Sequence, residues 1–105
     1  MEQHVGAAEF DEVIGSSEGL VMVDFWAPWC GPCKQMNPVL DELSAEWGDQ
    51  VTIVKVNIDE EADLARRFGV MSIPSFVFLR EGHEVSRLVG ARSAVAMRSL
   101  VASQL

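Results

Sequence analysis

The hydrophobic positions change their period several times along the chain, and each change marks an element. Phe10, Val13 and Ile14 recur at helical spacing, which predicts a short helix over Ala7–Ser16. Gly15 to Gly19 supplies its exit turn. Leu20 to Trp26 is a nearly unbroken apolar run, interrupted only by Asp24, as expected of a strand covered on both faces. Pro28 and Gly31-Pro32 end it. From Pro32 the period lengthens again: Met36, Leu40, Leu43 and Trp47 share one helical face, while Asp41, Glu42 and Glu46 turn elsewhere. Pro32 suits the first turn of that helix. Pro38 lies inside it, where it predicts a lost backbone hydrogen bond and a kink. Gly48 closes the helix.

Val51 to Ile58 is rich in β-branched residues and reads as the next strand. Leu64, Ala65 and Phe68 mark a short helix stopped by Gly69. Ser75–Arg80 reads as a buried strand, Glu81-Gly82 as a turn, and Glu84–Val89 as an alternating edge strand. Ser93 caps a last helix whose Met97, Leu100 and Val101 face inward. Strands alternate with helices, then finish in a hairpin and a helix. The class is α/β, with a mixed sheet covered on both faces.

Composition narrows the function. The 105 residues suit one domain, and 49% hydrophobic content supports a core without staples. Eight basic against sixteen acidic side chains give a net charge of −8. That sign argues against nucleic-acid binding and against docking on anionic membranes. No apolar run is long enough to span a bilayer, and no secretory signal is visible, so the expected location is cytoplasmic. A mature form that had lost a targeting segment would look the same.

The chemistry concentrates in Trp29-Cys30-Gly31-Pro32-Cys33, between the buried strand and the helix that follows. These are the only two cysteines, and a bridge closing so short a loop would confine the unfolded chain little. Positions i and i+3 at a helix start lie close enough to bridge. Unpaired N–H groups and the positive helix end favour thiolate over thiol, lowering Cys30 from the reference of about 8.5. Cys30, at the outer edge of the turn, is the expected attacking sulfur; Cys33, one turn in, is the expected buried partner that resolves the mixed disulfide. A half-site for zinc is the bland alternative. It needs two more ligands, and His4 and His83 stand at no finger-like spacing.

Two charges interrupt apolar strands, Asp24 between Val23 and Phe25, and Lys55 between Val54 and Val56. Each is costly there unless it is paired, functional, or at a strand edge where it reaches water. Alternation alone leaves those readings open.

The run Asp24-Phe25-Trp26-Ala27-Pro28-Trp29-Cys30-Gly31-Pro32-Cys33-Lys34 resembles the thioredoxin family, and the similarity extends from about Phe10 to the C-terminus. The resemblance implies one domain over residues 1–105 with the thioredoxin fold, a central mixed sheet with helices on both faces. It implies reduction of protein disulfides by a monomer with no bound cofactor beyond a redox-active Cys30–Cys33 pair, recharged by an NADPH-dependent thioredoxin reductase. Documented lowering of thiol pKa values in such motifs belongs to that resemblance. It makes Asp24 a buried carboxylate beneath Cys33, with Lys55 close by, and so a candidate acceptor of the Cys33 proton through a water. It makes Pro74 a cis proline after Ile73, packed on the cysteine pair, and places Trp29, Gly31, Pro32, Ile73, Gly90 and Ala91 along a shallow groove for an extended substrate. Trp26 and Pro38 are expected to support the site structurally. Ser75, Met71 and Asn37 depart from the commonest family pattern, and Met71 makes the groove softer and more apolar. Relatives that act as oxidases or isomerases usually carry a histidine where this chain has Pro32, which favours the reducing role. A binding subunit that hardly cycles is the non-enzymatic alternative.

Overall fold

The computed structural model, which describes residues 2–105, runs β1 (Glu2–His4), α1 (Ala7–Ser16), β2 (Leu20–Trp26), α2 (Gly31–Trp47), a short 3-10 turn (Gly48–Gln50), β3 (Val51–Asn57), α3 (Ala62–Arg67), β4 (Ser75–Arg80), β5 (His83–Val89) and α4 (Ala94–Ala102). Five strands form one sheet in the order β1-β3-β2-β4-β5. β3 pairs in parallel with β1 and β2, whereas β4 runs antiparallel to β2 and β5. The sheet is therefore mixed, as the pattern of elements implies. β1 is an addition: three residues, Glu2, Gln3 and His4, carry no apolar alternation and give no hydropathic signal.

Side-chain alternation on β2 sorts the core into two layers. Leu20 and Met22 pack with Val51, Ile53, Phe76 and Phe78 against α2 (Met36, Leu40, Leu43) and α4 (Met97, Val101). Val21, Val23 and Phe25 pack with Val54, Val56, Val77 and Leu79 against α1 (Phe10, Ile14) and α3 (Leu64). Helices thus cover both faces, and β2 is buried along nearly its whole length because it lies at the centre. Leu100 is only half-buried at the margin of its layer.

Local chemistry sets the boundaries. The Glu9 carboxylate accepts the Gly6 N–H at 3.1 Å and closes the start of α1. Ser93 Oγ accepts the Ala96 N–H at 3.2 Å and caps α4. α2 continues through Pro38, which cannot donate to the carbonyl of Lys34. The β4–β5 turn takes left-handed backbone at Glu81 (φ 52°) and Gly82 (φ 81°). Among the described residues no helix is long and apolar enough to cross a membrane.

Gly19 enters β2 against the end of the 3-10 turn, where an added Cβ would stand 2.5 Å from the Gln50 carbonyl oxygen. Gly15, in the last turns of α1, has nothing within 4 Å of that position. Gly19→Ala is expected to lower stability by about 1–3 kcal/mol, because backbone must move. Gly15→Ala is expected to raise it by up to about 1 kcal/mol through helix propensity. Urea denaturation of the two variants checks the pair, and equal effects would contradict the packing described here.

Candidate active site

Cys30 occupies the N-cap of α2, with extended backbone (φ −89°, ψ 108°), and its Sγ accepts the Cys33 N–H at 3.2 Å. Its own N–H is held by the Ala27 carbonyl at 3.1 Å, and its carbonyl takes the Lys34 N–H at 3.2 Å. Sulfur thus fills the place usually taken by a serine or aspartate oxygen. Cys30 and Cys33 are joined by a disulfide with Cα atoms 5.3 Å apart. The Cys33 N–H and the positive end of a 17-residue helix both point at the Cys30 sulfur, an arrangement that favours negative charge there. One expectation needs correction. Cys30 is buried almost as fully as Cys33 in the bridged form, 5% exposed against 4%, with Trp26, Ile58 and Ile73 packed against the cluster that the two form with Ala27. What separates the two sulfurs is the capping hydrogen bond, not burial.

The surrounding loops converge from distant segments. Ile73–Pro74 is a cis peptide, with Pro74 buried at the start of β4. Gly90 donates its N–H to the Pro74 carbonyl at 2.8 Å and has left-handed backbone (φ 97°), so the turn after β5 is tied to the proline. Ser75 Oγ donates to the Ser72 carbonyl at 2.5 Å, fixing the loop before it. Beyond Ala91, which is exposed, the Arg92 N–H reaches Met36 Sδ at 3.4 Å and holds the segment to α2. Gly31 and Pro32 lie exposed on the first turn of α2; Pro38 is exposed more than a turn further on. Trp26 packs on the cysteines, and its indole Nε1 is buried without a hydrogen-bond partner among the described residues.

Trp29 is 67% exposed beside the disulfide. Its Nε1 donates to both carboxylate oxygens of Asp59, at 3.2 and 3.1 Å. Asp59 reads from the sequence as part of a solvated helix start, and no local signal points from it to a residue thirty positions earlier. Next to this pair a cavity of about 300 Å³ is lined by Trp29, Ile58, Val70, Met71, Ser72 and Ile73, and Met71 stands 97% exposed on its wall.

Asp24 and Lys55 are direct neighbours in the parallel β2–β3 register, and both are buried. β2 is central and β3 is flanked by β1, so the strand-edge alternative falls. By alternation both side chains lie on the α2 face, beyond Met22 and Ile53 and toward the turn that carries Cys33. Lys55 Nζ makes its ion pair with Glu2 Oε1 at 3.1 Å. Burial pushes the Asp24 carboxyl up to about 7; Lys55 draws it down in part, and Glu2 pushes it up further. His4 is exposed and meets Trp26 edge-on at 5.8 Å; His83 is exposed on β5. Among the described residues no group of three or more His, Cys, Asp or Glu side chains is placed to hold a metal.

The pattern of the family described as Thioredoxin matches residues 2–103. A Thioredoxin of Bacillus subtilis (strain 168) is 49% identical over 90 residues, 86% of each chain. A Thioredoxin of Haemophilus influenzae is 46% identical over 88 residues, covering 84% of this chain and 82% of that one. A protein of Mycobacterium leprae named bifunctional thioredoxin reductase/thioredoxin is 43% identical over 91 residues, 87% of this chain and 20% of its own length.

The raised Asp24 carboxyl has a thermodynamic consequence. The folded chain holds that proton more tightly than the unfolded chain, whose value is near 3.8. The resulting stability is fully present below about pH 4 and is lost as pH rises through about 7. Asp24→Asn removes the buried charge. At pH 8 the oxidised variant is expected to be more stable than its parent by on the order of 3 kcal/mol, and near pH 4 the difference should vanish. Denaturant melts at the two pH values read this, and parallel curves would remove Asp24 as the titrating group.

Proposed function

The chain belongs to the thioredoxin family and is a disulfide oxidoreductase, and from that premise we propose that it works as a carrier that reduces disulfides in other proteins. One observation supports this above the others: Cys30 caps α2 with its sulfur, within reach of the Cys33 N–H and bridged to Cys33. In the reduced state the Cys30 thiolate attacks one sulfur of a partner disulfide. The S–S bond of the partner breaks, its second sulfur leaves as thiolate, and a mixed disulfide forms through Cys30. Cys33 then gives its proton to Asp24, through a bridging water, and attacks Cys30 Sγ. The partner's remaining sulfur leaves as a thiolate. Two electrons have passed from the dithiol to the partner, and Cys30–Cys33 is closed.

A groove lined by Trp29, Ile73, Pro74, Gly90 and Ala91 would take the partner as an extended segment, with the Ile73 backbone offering hydrogen bonds and the cavity beside Met71 accepting an apolar side chain. Gly31 and Pro32 keep the approach to Cys30 free of bulk, and Trp26 and Pro38 support α2 and the disulfide. Recharging is assigned to an NADPH-dependent thioredoxin reductase. The fused reductase and thioredoxin named in Mycobacterium leprae supports such a partner. The working form is a cytoplasmic monomer, one domain over residues 1–105, with no bound cofactor and no nucleic-acid or membrane partner.

Turnover of insulin with limiting dithiol tests the reading through precipitation of the freed chain. The parent should accelerate it many-fold and Cys30→Ser should return it to background. Cys33→Ser should instead accumulate a mixed disulfide, seen as a covalent adduct by mass. A parent that does not accelerate the reaction would point to a binding subunit.

A further inference from the structure

The strand without a hydropathic signal brings a third charged group to the buried pair. Glu2 lies opposite Ile53 and His4 opposite Lys55, so both β1 side chains emerge on the face of Lys55 and of its other neighbour, Asp24. The Lys55 ammonium is 3.1 Å from Glu2, with the two side chains only 10% and 23% exposed. Among the described residues, no ion pair within 4.0 Å reaches Asp24. Lys55 thus makes its close contact with Glu2, while Asp24 is its neighbour in the sheet without an ion pair to it. Glu2 is nearer to solvent than Asp24. Lys55 itself lines a cavity of about 480 Å³ with His4, Trp26, Asn57, Glu60 and Glu61, which gives the cluster a wet side.

We propose that Glu2 is a positioning residue for the proton-transfer step: by anchoring Lys55 it holds the ammonium off Asp24 and leaves that carboxyl able to take and return the Cys33 proton. The inference rests on the role given to Asp24 above and adds the group that tunes it. Without the anchor, the lysine is free to close on Asp24, which then stays ionised and is a weaker base. In the strand register Asp24 lies between Lys55 on β3 and the uncharged Phe76 on β4, with His4 one strand beyond Lys55 on β1; the charges that act on Asp24 are Lys55 and Glu2.

The test uses the full chain and two readouts, the Asp24 carboxyl carbon followed by NMR through pH and the pH profile of insulin reduction. Glu2→Gln should move the Asp24 midpoint down by about half a unit to one unit, and the acid arm of the profile should follow it. Glu2→Asp should restore much of the parental midpoint, whereas His4→Gln should leave it in place. In a Lys55→Met background, where the midpoint starts higher, Glu2→Gln should shift it less than in the parent. An unmoved midpoint in Glu2→Gln, while Asp24→Asn still abolishes the arm, overturns the inference and leaves the proton-transfer reading standing. Equal shifts with and without Lys55 overturn it too, since Glu2 would then act by its own charge alone. A profile untouched by Asp24→Asn removes the proton-transfer reading first, and the role of Glu2 with it.

Discussion

A sulfur atom standing in for a capping oxygen is the constraint that ties this fold to its chemistry. Helix α2 begins with N–H groups that need acceptors, and Cys30 supplies one of them. The same donor that makes the helix start well favours the ionised sulfur when the bridge is open. Reactivity is therefore not added to a finished scaffold; it is part of how the scaffold begins its longest helix. Ala27 and Lys34 hold the backbone of Cys30 on both sides, so the sulfur keeps its place through local bonds.

The central strand supplies the second half of the arrangement. β2 is packed between β3 and β4, with apolar layers on both faces. Its end aims the chain into the cysteine turn, and its fifth residue, Asp24, lies on the side that α2 covers. One strand thus carries a buried carboxyl and leads directly into the turn that holds the disulfide. The cis Ile73–Pro74 segment and Gly90 close the other side, joined to each other by one backbone hydrogen bond.

Much of this was legible in the residues. The limits of α1, β2 and β4 follow from period and from Gly and Pro punctuation, and the cysteine pair announces itself by spacing. Other parts were hidden for identifiable reasons. β1 has three polar or half-buried residues, and its existence depends on β3 having a free edge, which no local pattern reveals. The pairing of Lys55 with Glu2 follows from that strand and was equally invisible. Asp59 looked like an ordinary acid at a helix start until the fold carried Trp29 over it. Equal burial of the two cysteines contradicts the simple idea that the outer position of a turn is the open one; Ile73 and Trp26, remote or turned inward, shield it.

The short first strand carries one further implication. Three residues at the margin of a sheet separate at small free-energy cost, far below that of global unfolding. Anything that peels or crowds this margin, including a purification handle fused upstream, acts on the Lys55–Glu2 pair and, by the inference drawn above, on Asp24. Two preparations of identical catalytic sequence would then differ in the acidity at which they lose activity, solely because of what precedes Glu2.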